Sequence, residues 1–435
     1  MDDQKCQSDR KDKTVTTPIE RVSLPLTSPL LIAALLFSTS ACSNPVTVNT
    51  SNNVPEQKEM QTSKADMQTS DAQVSADKPE FTTKAIATFD EPWAMTALPN
   101  TDGKAPKLLV TQKTGDLFIV DTATGSKIQV AGIPKVAYGG QGGLGDIILA
   151  PDFATSNAVY ISYVEAGKGG DSNKFGAKVI KATLAGLGTN APTLQAITPI
   201  WEQSPKVTGQ GHYSHRLLFS PDGQYLYISS GERQKKEPAQ DMSMNLGKII
   251  RLYADGSVPK DNPFVNDSND IASQFWTMGN RNVLGIRFDE SGRLWANEMG
   301  PKGGDEFNLI EKGKNYGWPI VSNGRNYSGT PIPDHDTRPE FERPKITWTP
   351  VISPSSLSLY TAGSHNDFPA LQGDFLISGL SSKALIVVSV DEDDSATERY
   401  RYDMGERVRS VLAVDGQVWA LEDGDGGRLL RLLPK

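Results

Sequence analysis

Two histidines in a short loop are the side chains best suited to acid–base chemistry. His212 and His215 lie in the segment GQGHYSHRLLFSPDG, on a loop that leads into a predicted strand. A neutral imidazole can take up a proton near neutral pH, so either side chain is a candidate general base. A spacing of three on a loop is a weak signal for zinc. A loop histidine taken alone is more often simply solvated or hydrogen-bonded.

A glycine-rich motif raises the question of nucleotide binding. Residues 140–145, Gly-Gln-Gly-Gly-Leu-Gly, match the GxGxxG pattern of dinucleotide sites. That fingerprint must open a helix, whereas the residues that follow, DIILAPDF, alternate like a strand and are stopped by Pro151. We therefore reject a dinucleotide site. We expect the glycines to let the backbone crowd a central channel and to display Gln141 at its mouth.

Two further segments have the composition of functional loops. The stretch from Phe275 to Pro319 is dense in glycine, charged and aromatic residues between short strands, and loops of this type carry binding and catalytic groups. The loop GERQKKEPAQD, from Gly231 to Asp241, is unusually cationic. The sequence assigns no role to this second loop.

Composition and charge narrow the class of protein. The 435 residues carry 44 Lys and Arg against 52 Asp and Glu, a formal charge of -8, so there is no basic footprint for a nucleic-acid partner. The 39 Gly and 28 Pro favour many short strands joined by turns. Both cysteines, Cys6 and Cys42, precede the predicted folded region, so no disulfide is expected within it.

The N-terminus has the features of an export signal, which we predict over residues 1–41. A polar, basic segment precedes an apolar stretch of roughly 14 residues that is too short to span a bilayer. Small residues then precede Cys42, an arrangement that resembles a bacterial lipobox. We expect Cys42 to be the lipidated first residue of the mature protein. An ordinary cleaved signal with an incidental cysteine is the alternative.

The lipobox predicts a location and a tether. Ser43 after the lipidated cysteine favours the outer membrane, so we expect a lipid-anchored protein on the periplasmic side of a Gram-negative cell envelope. Residues 42–80 are rich in Ser, Thr, Asn and Gln with almost no large apolar side chains. They are predicted to be a flexible tether, because they cannot offset the entropy lost on ordering.

The rest of the chain, residues 81–435, repeats a hairpin unit six times. Each unit is an apolar alternating strand, a turn with Asp, Pro or Gly, and a second strand rich in aromatic or β-branched residues. The units begin at Leu108, Ile147, Leu217, Gly285, Asp374 and Val408. Their average length of about 60 residues predicts an all-β fold, a six-bladed β-propeller. A pair of β-sandwiches is the alternative, but it does not explain the recurring hairpin.

The two ends of this region are expected to meet. The closing segment LLRLLP, from Leu429 to Pro434, has the pattern of a strand that could pair with the first strand, FTTKAIATF from Phe81. Such pairing would leave no sheet edge open.

Three longer segments resemble one known family. They are RNVLGIRFDESGRLWANEMGP from Arg281, GGDEFNLIEKGKNYGWP from Gly303 and LGKIIRLYADGSVPKDNPF from Leu246. These segments are similar to glucose/sorbosone dehydrogenases, especially the periplasmic aldose sugar dehydrogenases, over roughly residues 85–431. The resemblance implies an enzyme that uses pyrroloquinoline quinone (PQQ) and calcium to oxidise aldose sugars to lactones. An external acceptor would then take the electrons.

The resemblance assigns the central chemistry. In that family a loop histidine takes the proton of the anomeric hydroxyl while hydride passes to the quinone, and His212 matches it. His215 stands where a small residue is usual, and we expect it to be a bystander. Arg281 and Asn282 match residues at the quinone end. Arg407 and Arg409 match residues that hold the cofactor's carboxylates, and their i, i+2 spacing puts both on one face of a strand.

Further contacts with the cofactor and substrate follow from the same resemblance. Gln141 matches a cofactor contact, and Tyr327 is expected beside the plane of the cofactor. The fifth-blade turn GLSSKAL offers Lys383, or Ser382 if the alignment slips by one. Trp348 resembles an aromatic residue at the sugar cleft.

Calcium is the second implied cofactor, and it requires oxygen ligands. The resemblance assigns the backbone carbonyls of Gly300 and Pro301 to the calcium at the cofactor. It assigns Glu306 and the carbonyl of Tyr316 to a further calcium. Asp305 and Glu306 could instead form a solvated turn.

The residue before His212 argues for broad specificity. It is Gly211, whereas the glucose-specialised branch of the family has an acid there. Two other functions stay open at this point. One is a calcium-dependent propeller lactonase, which would not require the set Arg281, Arg407 and Arg409. The other is a non-catalytic sugar- or protein-binding propeller, because a fold alone does not determine function.

Overall fold

The computed structural model describes residues 78–100, 105–266 and 268–435. The predicted signal peptide, the lipidation site Cys42 and all but the last residues of the predicted tether lie outside this part of the chain. Within it, 24 strands form six antiparallel sheets of four strands each. The innermost strand of each sheet contacts that of the next, and the sixth contacts the first. The sheets therefore close into a ring, and the prediction of a six-bladed β-propeller is confirmed.

The strands are numbered in chain order, and β1 (Phe81–Asp90) belongs to the last blade. Blade 1 contains β2 (Pro92–Ala97), β3 (Lys107–Gln112), β4 (Leu117–Asp121) and β5 (Lys127–Gln129). Blade 2 contains β6 (Leu144–Leu149), β7 (Ala158–Ala166), β8 (Phe175–Ala185) and β9 (Thr193–Glu202). Blade 3 contains β10 (Ser214–Phe219), β11 (Tyr225–Ser230), β12 (Lys248–Tyr253) and β13 (Phe275–Met278). Blade 4 contains β14 (Val283–Phe288), β15 (Leu294–Glu298), β16 (Asp305–Ile310) and β17 (Ile346–Trp348). Blade 5 contains β18 (Pro354–Leu359), β19 (Phe375–Gly379), β20 (Ala384–Val390) and β21 (Ala396–Asp403). Blade 6 contains β22 (Val408–Val414), β23 (Gln417–Glu422) and β24 (Asp425–Pro434), together with β1.

In the described ranges, helical structure is confined to short turns in the connections. One α-helix of four residues, α1 (Phe153–Ser156), follows β6. The 3₁₀ turns are Gly169–Asp171, Glu237–Gln240, Ala272–Gln274, His335–Thr337 and Pro369–Leu371. No helix in the described ranges is long and apolar enough to cross a membrane.

The six hairpins predicted from the sequence fall one in each blade. They are the first and second strands of blades 2, 3, 4 and 6, but the second and third strands of blades 1 and 5. This difference explains why the repeats are unevenly spaced along the chain. Because the six hairpins belong to six separate sheets in one ring, the alternative of two β-sandwiches is wrong.

The ring is closed by strands from both ends of the folded region. β1 pairs antiparallel with β24, from Phe81 opposite Pro434 to Asp90 opposite Asp425. Blade 6 thus takes its outermost strand from the N-terminal side and its other three from the C-terminal side. The expected pairing of LLRLLP with the first strand is confirmed.

The hydrophobic core is divided among the six interfaces between neighbouring blades, with one cluster at each. Between blades 4 and 5, for example, the rings of Trp295 and Phe307 stack with their centroids 5.0 Å apart, and Phe375 packs against both. Apolar burial of this kind supplies most of the stability of a fold. Because it lies between the blades, the central axis is left free for polar groups.

Candidate functional site

Two adjoining cavities open at one end of the propeller. The six innermost strands run in the same direction around the axis, so the residues at and before their starts gather at that end. The central cavity, of about 370 Å³, lies over the axis. It is lined by residues from all six blades, including Trp93, Lys113, Gln141, His215, Asn282, Ser353, Arg407, Arg409 and Asp423. The histidine cavity, of about 530 Å³, is lined by His212, Glu232, Lys236, Arg281, Pro301, Trp318 and Tyr327 among others.

His212 is held by its backbone and by one ring nitrogen. Its backbone is left-handed, with φ of 48°, and its N–H donates to Oε1 of Gln141 at 2.7 Å. Nδ1 lies 2.5 Å from Oε1 of Glu232. Since a carboxylate only accepts, Nδ1 carries the proton and Nε2 keeps its lone pair. Nε2 has no partner in the described part of the chain, and the ring borders the histidine cavity.

The electrostatic surroundings keep this imidazole neutral and its partner ionised. Burial lowers the pKa of His212, and the charges of Arg281 and Arg233 lower it further, whereas Glu232 acts in the opposite direction. For Glu232, burial opposes ionisation, but the hydrogen bond from His212 and the backbone N–H of Lys236 hold its pKa below the usual value. The pair therefore consists of a neutral base and a carboxylate that orients it.

The cationic loop from Gly231 to Asp241, which had no predicted role, builds the surroundings of His212. It supplies Glu232. Its Arg233 is 1% exposed and donates to the carbonyls of Gly211, Gly209 and Phe175 at 2.9, 2.6 and 2.5 Å. These bonds tie the residues just before His212 to the start of β8. Sequence reasoning missed Glu232, yet the hairpin register was a usable signal, because Ser214 pairs with Ser230 and brings the residues beyond them together.

Arg281 also lines the histidine cavity. Its Nη1 donates to the carbonyl of Met299 at 2.8 Å, and its Nη2 lies 3.4 Å from the hydroxyl of Tyr327. The guanidinium sits 5.1 Å from the ring centre of Trp318. Nε of Arg281 is buried without a partner in the described residues. The structure therefore brings the predicted residues Arg281 and Tyr327 together with His212 at one cavity.

Asn282 extends from this group into the central cavity. Glu298 fixes the dipeptide, because its Oε2 accepts the backbone N–H groups of Arg281 and Asn282 at 2.6 and 3.2 Å. Oδ1 of Asn282 accepts the hydroxyl of Ser214 at 3.0 Å. The Arg281–Asn282 pair thus joins the histidine cavity to the central cavity.

Arg407 and Arg409 share one carboxylate in the central cavity. Nε of Arg407 lies 2.8 Å from one oxygen of Asp423, and Nη2 of Arg409 lies 2.7 Å from the other. Burial opposes ionisation of Asp423, but the two arginines hold its pKa below the usual value. Both arginines therefore point to the same side, as their spacing predicted. Asp423 was not predicted. Its single negative charge compensates only one of the two arginines, so one positive charge is left over.

Leu380 of the fifth-blade turn borders the central cavity, but Ser382 and Lys383 line neither cavity. The Lys383 ammonium donates to the carbonyl of Gly405 at 3.1 Å and lies 3.6 Å from Glu406, and half of its side chain is exposed. Oγ of Ser382 is buried without a partner in the described chain. The cofactor contact assigned to Lys383 or Ser382 stays a prediction.

Three carboxyl groups are buried behind Arg281. Asp305 and Glu306 begin β16 and are 1% and 7% exposed, so the alternative of a solvated turn is wrong. Burial raises the pKa of Asp305 to about 6. Burial and the adjacent charge of Glu298 raise the pKa of Glu306 well above its usual value.

The predicted calcium ligands lie around this acidic group. A narrow cavity of about 10 Å³, the size of a single water site, is lined by Glu298, Gly300, Glu306 and Tyr316. The Tyr316 carbonyl lies 3.2 Å from Nε2 of His335. No group of three His, Cys, Asp or Glu side chains among the described residues is arranged to hold a metal ion by itself. The calcium assignments rest in part on backbone carbonyls and stay predictions.

His215 is packed into the wall of the central cavity. It is 2% exposed, its ring stacks on Trp93 with centroids 4.9 Å apart, and Nδ1 lies 2.8 Å from Oγ of Ser162. Burial lowers its pKa to about 3, with smaller effects from nearby arginines. A Cβ at Gly145 would lie 1.9 Å from Cε1 of His215, so the last glycine of the GxGxxG motif is required for this close approach. The motif leads into β6, a strand rather than a helix.

The prediction that Trp348 lines the sugar cleft is wrong. Trp348 ends β17, the outermost strand of blade 4, and is 6% exposed. Its indole N–H donates to Glu398 of blade 5 at 2.7 Å, and its ring packs in the core between the two blades. A ring enclosed there has no free face for a sugar. The aromatic residues that border the histidine cavity are Trp318 and Tyr327.

Comparison with known proteins agrees with this architecture. A sequence profile described as "Glucose / Sorbosone dehydrogenase" matches residues 89–431. Aldose sugar dehydrogenase YliI of Escherichia coli (strain K12) is 37% identical over 355 residues, which cover 80% of this chain and 91% of that protein.

Two solved structures extend the comparison. The crystal structure of the soluble aldose sugar dehydrogenase from Escherichia coli in the apo-form superposes with a TM-score of 0.73 at 35% identity, covering 82% of this chain and all of that one. The PQQ-bound form of aldose sugar dehydrogenase from Streptomyces coelicolor superposes with a TM-score of 0.66 at 26% identity, covering 83% of this chain and all of that one. With the profile match and the extent of the Escherichia coli relative, the chain belongs to the glucose/sorbosone dehydrogenase family.

Proposed function

We propose that this protein is a PQQ-dependent dehydrogenase that oxidises aldose sugars at the anomeric carbon to lactones. One observation carries the proposal: a buried, neutral His212 whose Nδ1–H donates to Glu232 and whose ring borders a cavity that Arg281 also lines. Family membership supports an oxidoreductase, and the Streptomyces relative is named as PQQ-bound.

In this mechanism His212 is the general base. Glu232 holds the Nδ1–H tautomer, so Nε2 can accept the proton of the anomeric hydroxyl. As that proton leaves, the C1–H bond breaks with its electron pair and the C1–O bond becomes the carbonyl of the lactone. When bound, PQQ would supply the acceptor for this hydride, and an external acceptor would then take the two electrons. Arg281 lines the same cavity, where its positive charge would stabilise developing negative charge.

The residues of the central cavity fit a flat tricarboxylate. Such a ligand needs cations for its carboxylates, and Arg407, Arg409 and Lys113 line the cavity with two acids, Glu91 and Asp423. The charges leave the cavity with one excess positive charge. Asn282 and Gln141 add polar groups at its wall.

The residues present also fit calcium. Glu306, with its pKa raised by burial and by Glu298, would be compensated by a dication, and the Tyr316 carbonyl lies at the same narrow cavity. The carbonyls of Gly300 and Pro301 accept no hydrogen bond within the described chain and border the two cavities on either side of Arg281. A calcium held there would make the quinone more electrophilic.

A reconstitution experiment tests the proposal. Purified apoprotein with PQQ and calcium should reduce a redox dye when aldoses are added, and several aldoses should serve. His212→Gln should abolish turnover while the absorbance of bound PQQ is retained. Absence of dye reduction with every aldose would overturn the proposal. Lactone hydrolysis without PQQ would favour the lactonase, and sugar binding without turnover would favour a binding propeller.

We also propose that the protein is anchored through a lipid on Cys42 to the periplasmic side of the outer membrane. The proposal is supported by the sequence around Cys42. A Cys42→Ser variant should move from the membrane fraction to the soluble fraction, whereas Cys6→Ser should not. A wild-type protein found wholly in the soluble fraction would contradict it.

A further inference from the structure

The charges that line the histidine cavity do not cancel. They belong to Glu232, Lys236 and Arg281, and His212 beside them is neutral. Both oxygens of Glu232 are already used, because Oε1 accepts from the His212 ring and Oε2 accepts the backbone N–H of Lys236. The cavity is therefore left with one excess positive charge.

Lys236 carries an ammonium group that has no carboxylate partner. Its side chain is exposed, and Nζ donates to Oδ1 of Asn326 at 2.8 Å. Asn326 also lines the cavity, so this bond places Nζ at the edge of the cavity. A neutral amide leaves the positive charge uncompensated, and among the described residues no carboxylate lies within 4.0 Å of Nζ. Since an ammonium has three donors, two are left for a ligand.

Lys236 lies close to the proposed general base. Glu232 joins the two residues, since one carboxylate accepts from both the ring of His212 and the backbone of Lys236. In a pyranose, C1 and C5 are both bonded to the ring oxygen, so a carboxylate on C5 and the anomeric hydroxyl on C1 share one edge of the ring. A sugar whose hydroxyl contacts Nε2 of His212 therefore keeps such a carboxylate near the same wall, where Lys236 stands.

Two further cations stand at the rim of the cavity. Lys302 forms an antiparallel bridge with Arg325, the residue before Asn326, through backbone hydrogen bonds of 2.9 and 3.1 Å. Residues paired in this way point their side chains to the same face, where like charges repel. Both side chains are exposed, and neither has a carboxylate within 4.0 Å in the described chain. Residues 300–304 and 322–333 contain no Asp or Glu, so this side of the rim attracts anions although the protein has a net charge of -8.

We propose that the preferred substrates are anionic aldoses, namely hexuronic acids such as glucuronic acid, whose carboxylate binds Nζ of Lys236. This inference rests on the proposed function and names its substrate class. A carboxylate carries one negative charge, which balances the excess positive charge of the cavity, and it accepts from the free donors of the ammonium. Oxidation proceeds as for a neutral aldose: His212 takes the anomeric proton, the hydride leaves C1 for PQQ, and the carboxylate is unchanged.

Two sugars that differ only at C6 test this inference. With the reconstituted holoenzyme, the kcat/KM for glucuronate should exceed that for glucose by about fivefold, the effect of one ion pair near the surface. Raising the NaCl concentration should lower this ratio, because salt screens an exposed charge. Lys236→Gln should abolish the preference, and Lys236→Arg should preserve it. Lys235→Gln is the matched control and should keep the wild-type ratio, because this lysine of the same loop donates to Thr208 and does not line the cavity.

Two results with the holoenzyme would overturn the inference. One is a kcat/KM for glucuronate that is equal to or lower than that for glucose in the wild type. The other is an unchanged ratio in Lys236→Gln, provided that its melting temperature shows a folded protein. Either result leaves the proposed function intact, because glucose is still oxidised.

A titration without PQQ separates this inference from the proposed function. If neither sugar is oxidised, the proposed function fails, and calorimetry of glucuronate with apoprotein tests the site alone. Arg407→Gln serves as the background, since it removes the excess positive charge of the central cavity, which could also hold a carboxylate. In that background glucuronate should bind about fivefold more tightly than it does when Lys236→Gln is added. Equal affinities would overturn the inference.

Discussion

Replacing Glu232 by glutamine should damage catalysis more than replacing it by alanine. In the wild type, Oε1 of Glu232 accepts from Nδ1 of His212, and Oε2 accepts the backbone N–H of Lys236 at 2.6 Å. In Glu232→Gln the amide oxygen is needed by Lys236, so the amide NH₂ is turned toward Nδ1. An NH₂ group only donates, and this forces the histidine proton onto Nε2. The lone pair that accepts the sugar's proton would be lost.

The structure sets the size of each effect. Loss of a general base costs about 10²- to 10⁴-fold in rate, which is the range expected for Glu232→Gln. Glu232→Ala removes one charge-assisted hydrogen bond without forcing the wrong tautomer. Such a bond is worth about 1.5–3 kcal/mol, or about 10- to 150-fold. Glu232→Gln should therefore be the slower of the two variants.

Steady-state kcat with a saturating aldose, measured from pH 5 to 9, is the assay. The base works in its neutral form, so the rate of the wild type should rise with pH through the pKa of His212, below 6.5, and then level off. Glu232 raises that pKa, so in Glu232→Ala the rise should move to lower pH. Lys235→Gln, on the same loop, is the control and should change neither quantity. Equal rates for the two Glu232 variants would refute the tautomer argument, and unchanged kcat in both would refute the role of Glu232.

Three further predictions concern the cofactor and stability. The double variant Arg407→Gln/Arg409→Gln should weaken PQQ binding to apoprotein by about 100-fold or more in a fluorescence titration, because it removes two charge-assisted contacts. Lys383→Gln should have little effect on PQQ binding. A larger loss of affinity in Lys383→Gln than in the double variant would contradict the placement of Lys383 outside the central cavity. The pKa of His215 is about 3 in the folded protein and near 6.5 in the unfolded chain, so its contribution to stability is full above pH 6.5 and is lost as pH falls. Between pH 7 and 5 the free energy of unfolding should fall by about 2 kcal/mol for this reason. His215→Asn should therefore show a smaller fall in melting temperature over that range than the wild type. Gly145→Ala should lower the free energy of unfolding by about 1–3 kcal/mol, because its Cβ would lie 1.9 Å from His215. Gly170→Ala is the control and should leave stability unchanged, because no atom lies within 4 Å of its Cβ. Equal melting temperatures for the two variants would contradict the requirement for glycine at position 145.

The blades could be predicted because each hairpin is a local pattern. Alternation of apolar residues, a turn residue and a second alternating strand lie within about 15 consecutive residues, as in the segment from Leu217 to Gly231. Which pair of strands forms the recognisable hairpin depends on the connection between the first two strands of the blade, which covers residues 98–106 in blade 1 and 360–374 in blade 5 but only 220–224 in blade 3. For that reason the predicted number of six hairpins was correct, whereas in blades 1 and 5 the hairpin consists of the second and third strands and not of the first and second.

The site was predicted only where a residue belongs to a recognisable motif. His212, Arg281, Asn282, Arg407 and Arg409 were identified by resemblance, and the structure brings all five to the two adjoining cavities. Glu232 and Asp423 were missed, because a lone acid in a loop has no signature until its partner is known. Trp348 was misplaced for a related reason. Nothing in its segment marks Trp348 as enclosed, and only the packing of β17 against blade 5 buries the ring.

The six hairpins, the strand that closes the ring and the resemblance of the motifs to one family could be predicted, because each depends on residues that are consecutive in the chain. Which side chains meet depends instead on how the blades pack. The contacts of Glu232 with His212, of Asp423 with both arginines, and of His215 with Gly145 join residues 14 to 70 positions apart along the chain. Burial and charge at those contacts set the pKa values, so the chemistry of the site follows from the closed ring and not from any one segment.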